Sequence, residues 1–220
     1  FVDFTDLAAR QHDCNEEVRL NRRLARRLYL GVVPVVRLGR IRKIGARGTP
    51  VEHAVRMKRF DERELFSHLL TRGELGVAQI DRVAERLAAF HRCAATPPPR
   101  SMLGTATFVR TQMETVLASL EREAGSLVPA GVRQWCEREA ARLAGHFEAR
   151  RAGGFVRECH GDLHLDNIVR KGNDAILFDC IEFSEALRWI DVASDLAFLM
   201  MDLQAHGRDD LASALLNGWL

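Results

Sequence analysis

The chain has 220 residues, 47% of them hydrophobic and 28% charged, with a formal net charge of +2. That length and composition bury a substantial core in one domain or two unequal lobes, and so small a positive excess gives no reason to expect a nucleic-acid partner. Five cysteines, an odd number without Cys-x-x-Cys spacing, exclude a disulfide framework and a zinc ribbon, so a reducing cytoplasm is the expected setting. No apolar run reaches the roughly 18 residues of a membrane span, and no secretory signal opens the chain. The first residue is Phe1 and the last four are the apolar Asn-Gly-Trp-Leu, as expected of a fragment of a longer protein.

In chain order, residues 6–29 place Leu7, Cys14, Val18, Leu20, Leu24 and Leu28 at near-helical spacing, with Thr5 as cap. The basic run 19–27 on that helix reads as a solvated face. Two β-type runs, 32–40 and 51–60, are joined by a basic, Gly-containing turn region, 41–50, and should form a hairpin against the helix. Residues 61–94 give one short and one longer helix. The apolar stripe of the longer one, Val77, Ile80, Val83, Ala84, Leu87 and Phe90, should be core, and His91 near its end a structural histidine. Consecutive prolines in 96–100 break the helix. Helical patterns follow at 105–123 and 129–151, a short strand at 154–159, and two closing helices at 191–206 and 209–220. There is no internal repeat and no low-complexity tract.

The stretch HGDLHLDNIVRKGNDAILFD, His160 to Asp179, carries the chemistry. Asp162 and Asn167 share one tight loop, and the hairpin 168–179 turns through KGND and returns Asp179 beside Asn167. The result is a cluster of hard oxygen donors suited to Mg²⁺. Phosphoryl transfer asks a protein for positioning, charge neutralisation and a group that orients or deprotonates the attacking hydroxyl. Asp162 suits the last role, with Asn167 and Asp179 as metal ligands. A rival reading takes His160, Asp162 and His164 as a transition-metal site for hydrolysis. It lacks support, because His53, His68 and His91 have no matching motifs.

HGDLHLDN resembles the catalytic loop of aminoglycoside phosphotransferases and their relatives, and FDCIEFSEALRWIDVASDLAFLMMDL is similar to the segment that follows it in that family. The likeness is closest to the phosphotransferase-like half of bacterial proteins that also carry a P-loop ATPase half, and it runs from about Asp6 onward. It implies an α/β (α+β), protein-kinase-like fold with a mostly helical C-terminal lobe and a truncated N-terminal lobe. Residues 1–60 would be the remainder of the ATP-side lobe and hinge, and 61–220 the catalytic and substrate lobe, with a helical insertion, 101–152, lining the substrate cleft. The function implied is ATP- and Mg²⁺-dependent phosphorylation of a hydroxyl on a small molecule.

The resemblance also implies residue roles. Met57, Lys58, Arg59 and Phe60 would form the hinge that reads adenine, and Glu17, with Glu16 as the alternative, would pair with the phosphate-binding lysine. His160 and Asp195 would support the catalytic loop. Two departures bear on function. Asp179-Cys180-Ile181 stands where protein kinases have Asp-Phe-Gly. No lysine precedes the Glu17 helix, and Lys58, which ends an AVRMK run similar to Val-Ala-Ile-Lys, follows that helix instead. The 220-residue chain by itself is therefore expected to be nearly inactive. The alternative is a catalytically silent nucleotide-sensing or interaction module linked to a P-loop partner.

Overall fold

Helix α1 (Leu7–Ala25) begins where the Asp6 carboxylate accepts the amides of Ala8 and Ala9, both at 3.3 Å. The cap is thus Asp6 rather than Thr5: it is Asp6 that has the extended backbone directly before the first turn and an oxygen in reach of the free amides. The computed structural model describes residues 5–220, and of Ser126 the backbone alone. The helix stops at Ala25, because Tyr29 already opens strand β1 (Tyr29–Leu38).

The expected hairpin is a three-stranded antiparallel sheet, ordered β2-β1-β3, with β2 (Ile41–Ile44) and β3 (Pro50–Met57) flanking β1. Strand β2 lies inside the region read as a turn. All four of its residues are exposed, so it has no burial alternation for a sequence pattern to reveal. A two-residue turn joins it to β1, with Gly39 at φ +62° in the first turn position.

Val18, Ala25, Leu28 and Tyr29 of the α1 region pack with Val169 and Phe178 in a small core shared with the sheet. A larger core gathers Leu20 and Leu24 with α2 (Phe66–Thr71), α3 (Val77–Cys93), the hairpin β5 (Ile168–Lys171) and β6 (Asp174–Leu177), α7 (Val192–Ala205) and α8 (Asp209–Trp219). The stripe on α3 is buried as expected except at its first residue, Val77, which is 49% exposed. Helices α4 (Ala106–Ala124) and α5 (Val132–Ala152) pack on each other and fully bury only Leu117. Strand β4 (Val156–Glu158) pairs antiparallel with β7 (Trp189–Asp191), which follows the single-turn helix α6 (Glu185–Arg188). No described helix is long and apolar enough to cross a membrane.

The basic face of α1 is exposed at Arg19, Arg22, Arg26 and Arg27, as expected of a solvated face, yet three of its arginines also make directed hydrogen bonds. Arg22 donates to the carbonyls of Tyr29 and Leu30, Arg23 to those of Leu20, Glu158 and Cys159, and Arg19 to Glu16 and Glu158. These arginines seat the helix on the rest of the molecule.

Leu87 is fully buried, so Leu87→Ala should lower the unfolding free energy by about 2–5 kcal/mol. Val77→Ala, at the exposed end of the same stripe, should change it by no more than about 0.5 kcal/mol. Urea titrations of the two variants give the comparison.

Candidate active site

The loop 160–167 leaves β4 at His160, a fully buried residue tied down at both ends. Its amide and that of Gly161 donate to the two carboxylate oxygens of Asp195 at 3.1 and 2.9 Å. Its Nε2 donates to the Phe178 carbonyl at 2.8 Å, while Nδ1 faces the Asp162 amide at 3.4 Å. A carbonyl only accepts, so the proton sits on Nε2. At Gly161, φ is +87° and a Cβ would lie 2.8 Å from the Leu187 carbonyl oxygen, which leaves room for glycine alone.

Asp195 is further held by His91, whose Nε2 lies 2.9 Å from Asp195 Oδ2 while its Nδ1 accepts from Trp219 Nε1 at 3.0 Å. The indole can only donate, so His91 must carry its proton on Nε2, toward Asp195. Burial alone would raise the pKa of Asp195, but the hydrogen bond from His91 and those from the loop keep it below the usual carboxylate value. His91, Asp195 and Cys159 bring their potential ligand atoms within 4.8 Å of one another. Those atoms are already spent on one another, on Trp219 and, for the Cys159 sulfur, on the Ile190 carbonyl, so this is a hydrogen-bonded core rather than a metal centre.

Asn167 is 5% exposed and its Nδ2 donates to the Asp162 carbonyl at 2.9 Å, which leaves Oδ1 as the atom available to a cation. Its own carbonyl accepts the Phe178 amide at 3.0 Å, so the β5–β6 hairpin does bring the Asp179 segment beside it. Asp179 takes φ +67°, the only positive φ of a non-glycine among the described residues. Asn21 of α1 bridges two backbones here: Nδ2 donates to the Glu17 carbonyl at 3.0 Å and Oδ1 accepts the Cys180 amide at 2.9 Å.

Four carboxylates define the electrostatics. Asp162 is partly exposed, with His164 Nε2 3.6 Å from its Oδ2. Partial desolvation, and then the charge of Asp162, raise the pKa of Asp179. Glu182 is raised by burial and by Asp179. Glu17 is raised to about 7 by burial, Glu182 and Asp179. Glu16, the alternative, is bound by Arg19 at 2.8 and 2.9 Å and has a lowered pKa. Glu17 therefore belongs to the acidic cluster and Glu16 to an ion pair. His160 has a backbone partner at each ring nitrogen, the Phe178 carbonyl at Nε2 and the Asp162 amide at Nδ1, which leaves neither nitrogen unengaged to join His164.

The segment 57–60 leaves β3 with the Lys58 amide on the Leu28 carbonyl at 2.7 Å, and the Phe60 ring tilts against Phe178 at 5.2 Å. Met57, Lys58, Arg59 and Phe60 border a cavity of about 820 Å³. No ion pair links Lys58 to Glu17 among the described residues. The sequence reading missed Asn21, Glu158 and Glu182. Only Glu182 had a local signal, as an acid three residues beyond Asp179 inside the quoted motif.

Residues 2–220 match the Phosphotransferase enzyme family, and the chain belongs to that family. Uncharacterized proteins of Mycobacterium bovis and Mycobacterium tuberculosis are 30% identical over 223 residues, an alignment that covers all of this chain and 43% of theirs. The chain thus spans less than half the length of these relatives. A solved glucosamine kinase, in complex with glucosamine, ADP and inorganic phosphate, superposes with a TM-score of 0.50 at 18% identity, covering 93% of this chain and 56% of the other. The fold is mixed α/β, mostly helical and protein-kinase-like.

Two outcomes follow from the site. Asn21→Ala removes the acceptor of the buried Cys180 amide and should cost about 1–3 kcal/mol in denaturant titrations. For Glu17, the ordinary value is 4.5 and the folded, metal-free value about 7. Across that window the folded state holds the extra proton, so stability falls as pH rises, and the penalty is complete above about pH 7. Glu17→Gln should be more stable than the parent at about pH 8 and no more stable at about pH 4, with Mg²⁺ omitted.

Proposed function

We propose that this chain carries the active site of an ATP-dependent phosphotransferase that acts, with Mg²⁺, on a hydroxyl of a small molecule. The observation that carries this reading is the convergence of Asp162, the free Oδ1 of Asn167, and an acidic cluster of Asp179, Glu17 and Glu182 whose pKa values are all raised. Such a donor set, all hard oxygen and short of positive charge, fits Mg²⁺. Asn167 and Asp179 would hold the ion, which supplies neutralisation of the phosphate charge when bound.

The chain's own residues do the rest. Asp162, partly open to the cleft, orients the acceptor hydroxyl or takes its proton, and the amides of His160 and Gly161, clamped by Asp195, keep the loop in place while it does so. Met57 to Phe60 hold the nucleotide base along the cavity they border. Glu17 awaits a cationic partner, the phosphate-binding lysine of this reading. The five free thiols fit a reducing, cytoplasmic setting. The full-length protein, in this reading, joins the site to a P-loop ATPase half.

One observation favours the silent sensing module: among the described residues no cation is paired with Glu17. A lysine-bearing strand upstream of Phe1 in the full-length protein would decide for catalysis, and its absence for the module.

In the full-length protein, Asp162→Asn should lower kcat by about 10²–10⁴ with the fold intact, and unchanged turnover would remove Asp162 from the mechanism. Asp179→Ala should weaken ATP binding in the presence of Mg²⁺ far more than in its absence. Calorimetric titrations showing equal losses under both conditions would sink the metal role.

A further inference from the structure

Glu158 ends β4, two residues ahead of His160, and is 5% exposed. Its carboxylate gathers three guanidinium groups: Arg19 at 3.1 and 2.7 Å, Arg23 at 3.2 Å and Arg188 at 3.3 Å. Arg19 and Arg23 stand one turn apart on α1, and Arg188 ends α6. Burial pulls the Glu158 pKa upward, but the three cations win and hold it low.

Each arginine reaches beyond the carboxylate. Arg23 donates to the Glu158 carbonyl at 2.6 Å and the Cys159 carbonyl at 3.0 Å, and lies 5.0 Å over the Phe90 ring. Arg188 donates to the Glu182 carbonyl at 2.8 Å. Arg19 binds Glu16, the residue next to Glu17. One carboxylate therefore ties together the helix that bears Glu17 and Asn21, the entry to the catalytic loop, and the segment that carries Glu182 after Asp179. Buried ion clusters of this kind add little net stability over apolar packing, and breaking one leaves charge uncompensated. What this cluster supplies is fixed geometry across three segments distant in sequence.

We propose that Glu158 is a positioning residue of the phosphotransfer site, setting how helix α1 sits on the catalytic lobe and thereby how closely Glu17 approaches Asp179. The proposal rests on the phosphotransferase reading of that site. A shift of α1 by about an ångström would carry Glu17 and Asn21 away from residues 179–182, and misplacement of that size costs on the order of 10²-fold in rate.

The test uses the full-length protein with Glu158→Gln, Arg19→Met and the double variant. Arg19 is 46% exposed in its side chain, so its replacement leaves a folded protein even where Glu158→Gln does not. Each single variant should raise the Mg²⁺ concentration that half-saturates nucleotide binding and lower kcat by about 10-fold or more, with the acceptor KM unchanged. The double variant should be no worse than Glu158→Gln, since the two residues act through one contact. A cluster that is merely structural would lower the melting temperature and leave Mg²⁺ dependence and kcat of the folded protein as they were, which overturns the proposal. Amide hydrogen exchange supplies a readout that needs no activity: residues 12–20 should lose protection in Glu158→Gln while α3 keeps its own, and unchanged protection of α1 also overturns the proposal. A parent protein that transfers phosphate to no acceptor, yet shows this selective loosening, would fail the phosphotransferase reading and not the positioning one.

Discussion

A left-handed backbone at a residue that carries a Cβ costs roughly 1–2 kcal/mol, and at Asp179, with φ +67°, that conformation is held by hydrogen bonds from four directions. The Phe178 amide is on the Asn167 carbonyl, the Phe178 carbonyl on His160 Nε2, the Cys180 amide on Asn21 Oδ1 and the Ile181 amide on the His160 carbonyl. These partners come from the loop 160–167 and helix α1. The strained conformation depends on both being docked against the hairpin, since such strain persists only where the surroundings over-determine it. The Asp179 carboxylate is thus presented by the assembled fold, and no isolated hairpin would hold it there.

Helix α1 performs two electrostatic tasks with neighbouring residues. Glu16 is neutralised by Arg19 and titrates below its ordinary range, whereas Glu17, the next residue, has acids for neighbours and is raised to about 7. Consecutive helical residues point about 100° apart, so one side chain can close an ion cluster on the Glu158 side while the other enters the acidic cluster around Asp179. The arginines that look like excess surface charge in the sequence are what permit this. They compensate Glu158 and Glu16 and leave Glu17 and Asp179 without an ion-pair partner among the described residues, a charge imbalance confined to the Asp179 side of the helix.

The sequence discloses what is local. Asp162, Asn167 and Asp179 lie on one loop and one hairpin, so their convergence could be argued from spacing, and α3, α4, α5, α7 and α8 follow from apolar periodicity and breakers such as residues 97–99. Strand β2 was not legible because a fully exposed strand has no pattern to read. The cap at Asp6 rather than Thr5 turns on a one-residue difference in backbone conformation that both residue types tolerate. Asn21 and Glu158 escaped notice for a different reason. Their partners lie 159 and 139 residues away along the chain, and nothing in a helical asparagine or a strand-end glutamate signals that a distant amide or guanidinium will be brought to it.

The polar core has a further consequence for what can vary. The buried polar side chains among the described residues, Asn21, His91, Glu158, His160, Asn167, Arg188 and Asp195, all bind the segments that surround the loop 160–167. Apolar contacts tolerate small slips, since cores accept volume-conserving substitution with modest loss. Directional bonds in a low-dielectric interior do not, because a displaced partner leaves a buried group unsatisfied at a cost of about 1–3 kcal/mol. The segments so bonded are held to one geometry. Helices α4 and α5, with Leu117 as their only fully buried residue and ion pairs such as Arg133–Glu121 on their exposed faces, are bonded in this way chiefly at the end of α5, where Arg150 holds Asp191 and Arg151 the Ser101 and Leu103 carbonyls. Substitutions on the exposed faces of α4 and α5 therefore meet few directional bonds, whereas a change beside Asp162, Asn167 or Asp179 meets a bonded neighbour in nearly every direction. The polar network fixes the loop 160–167 and the segment that follows Asp179 more tightly than it fixes the helical pair.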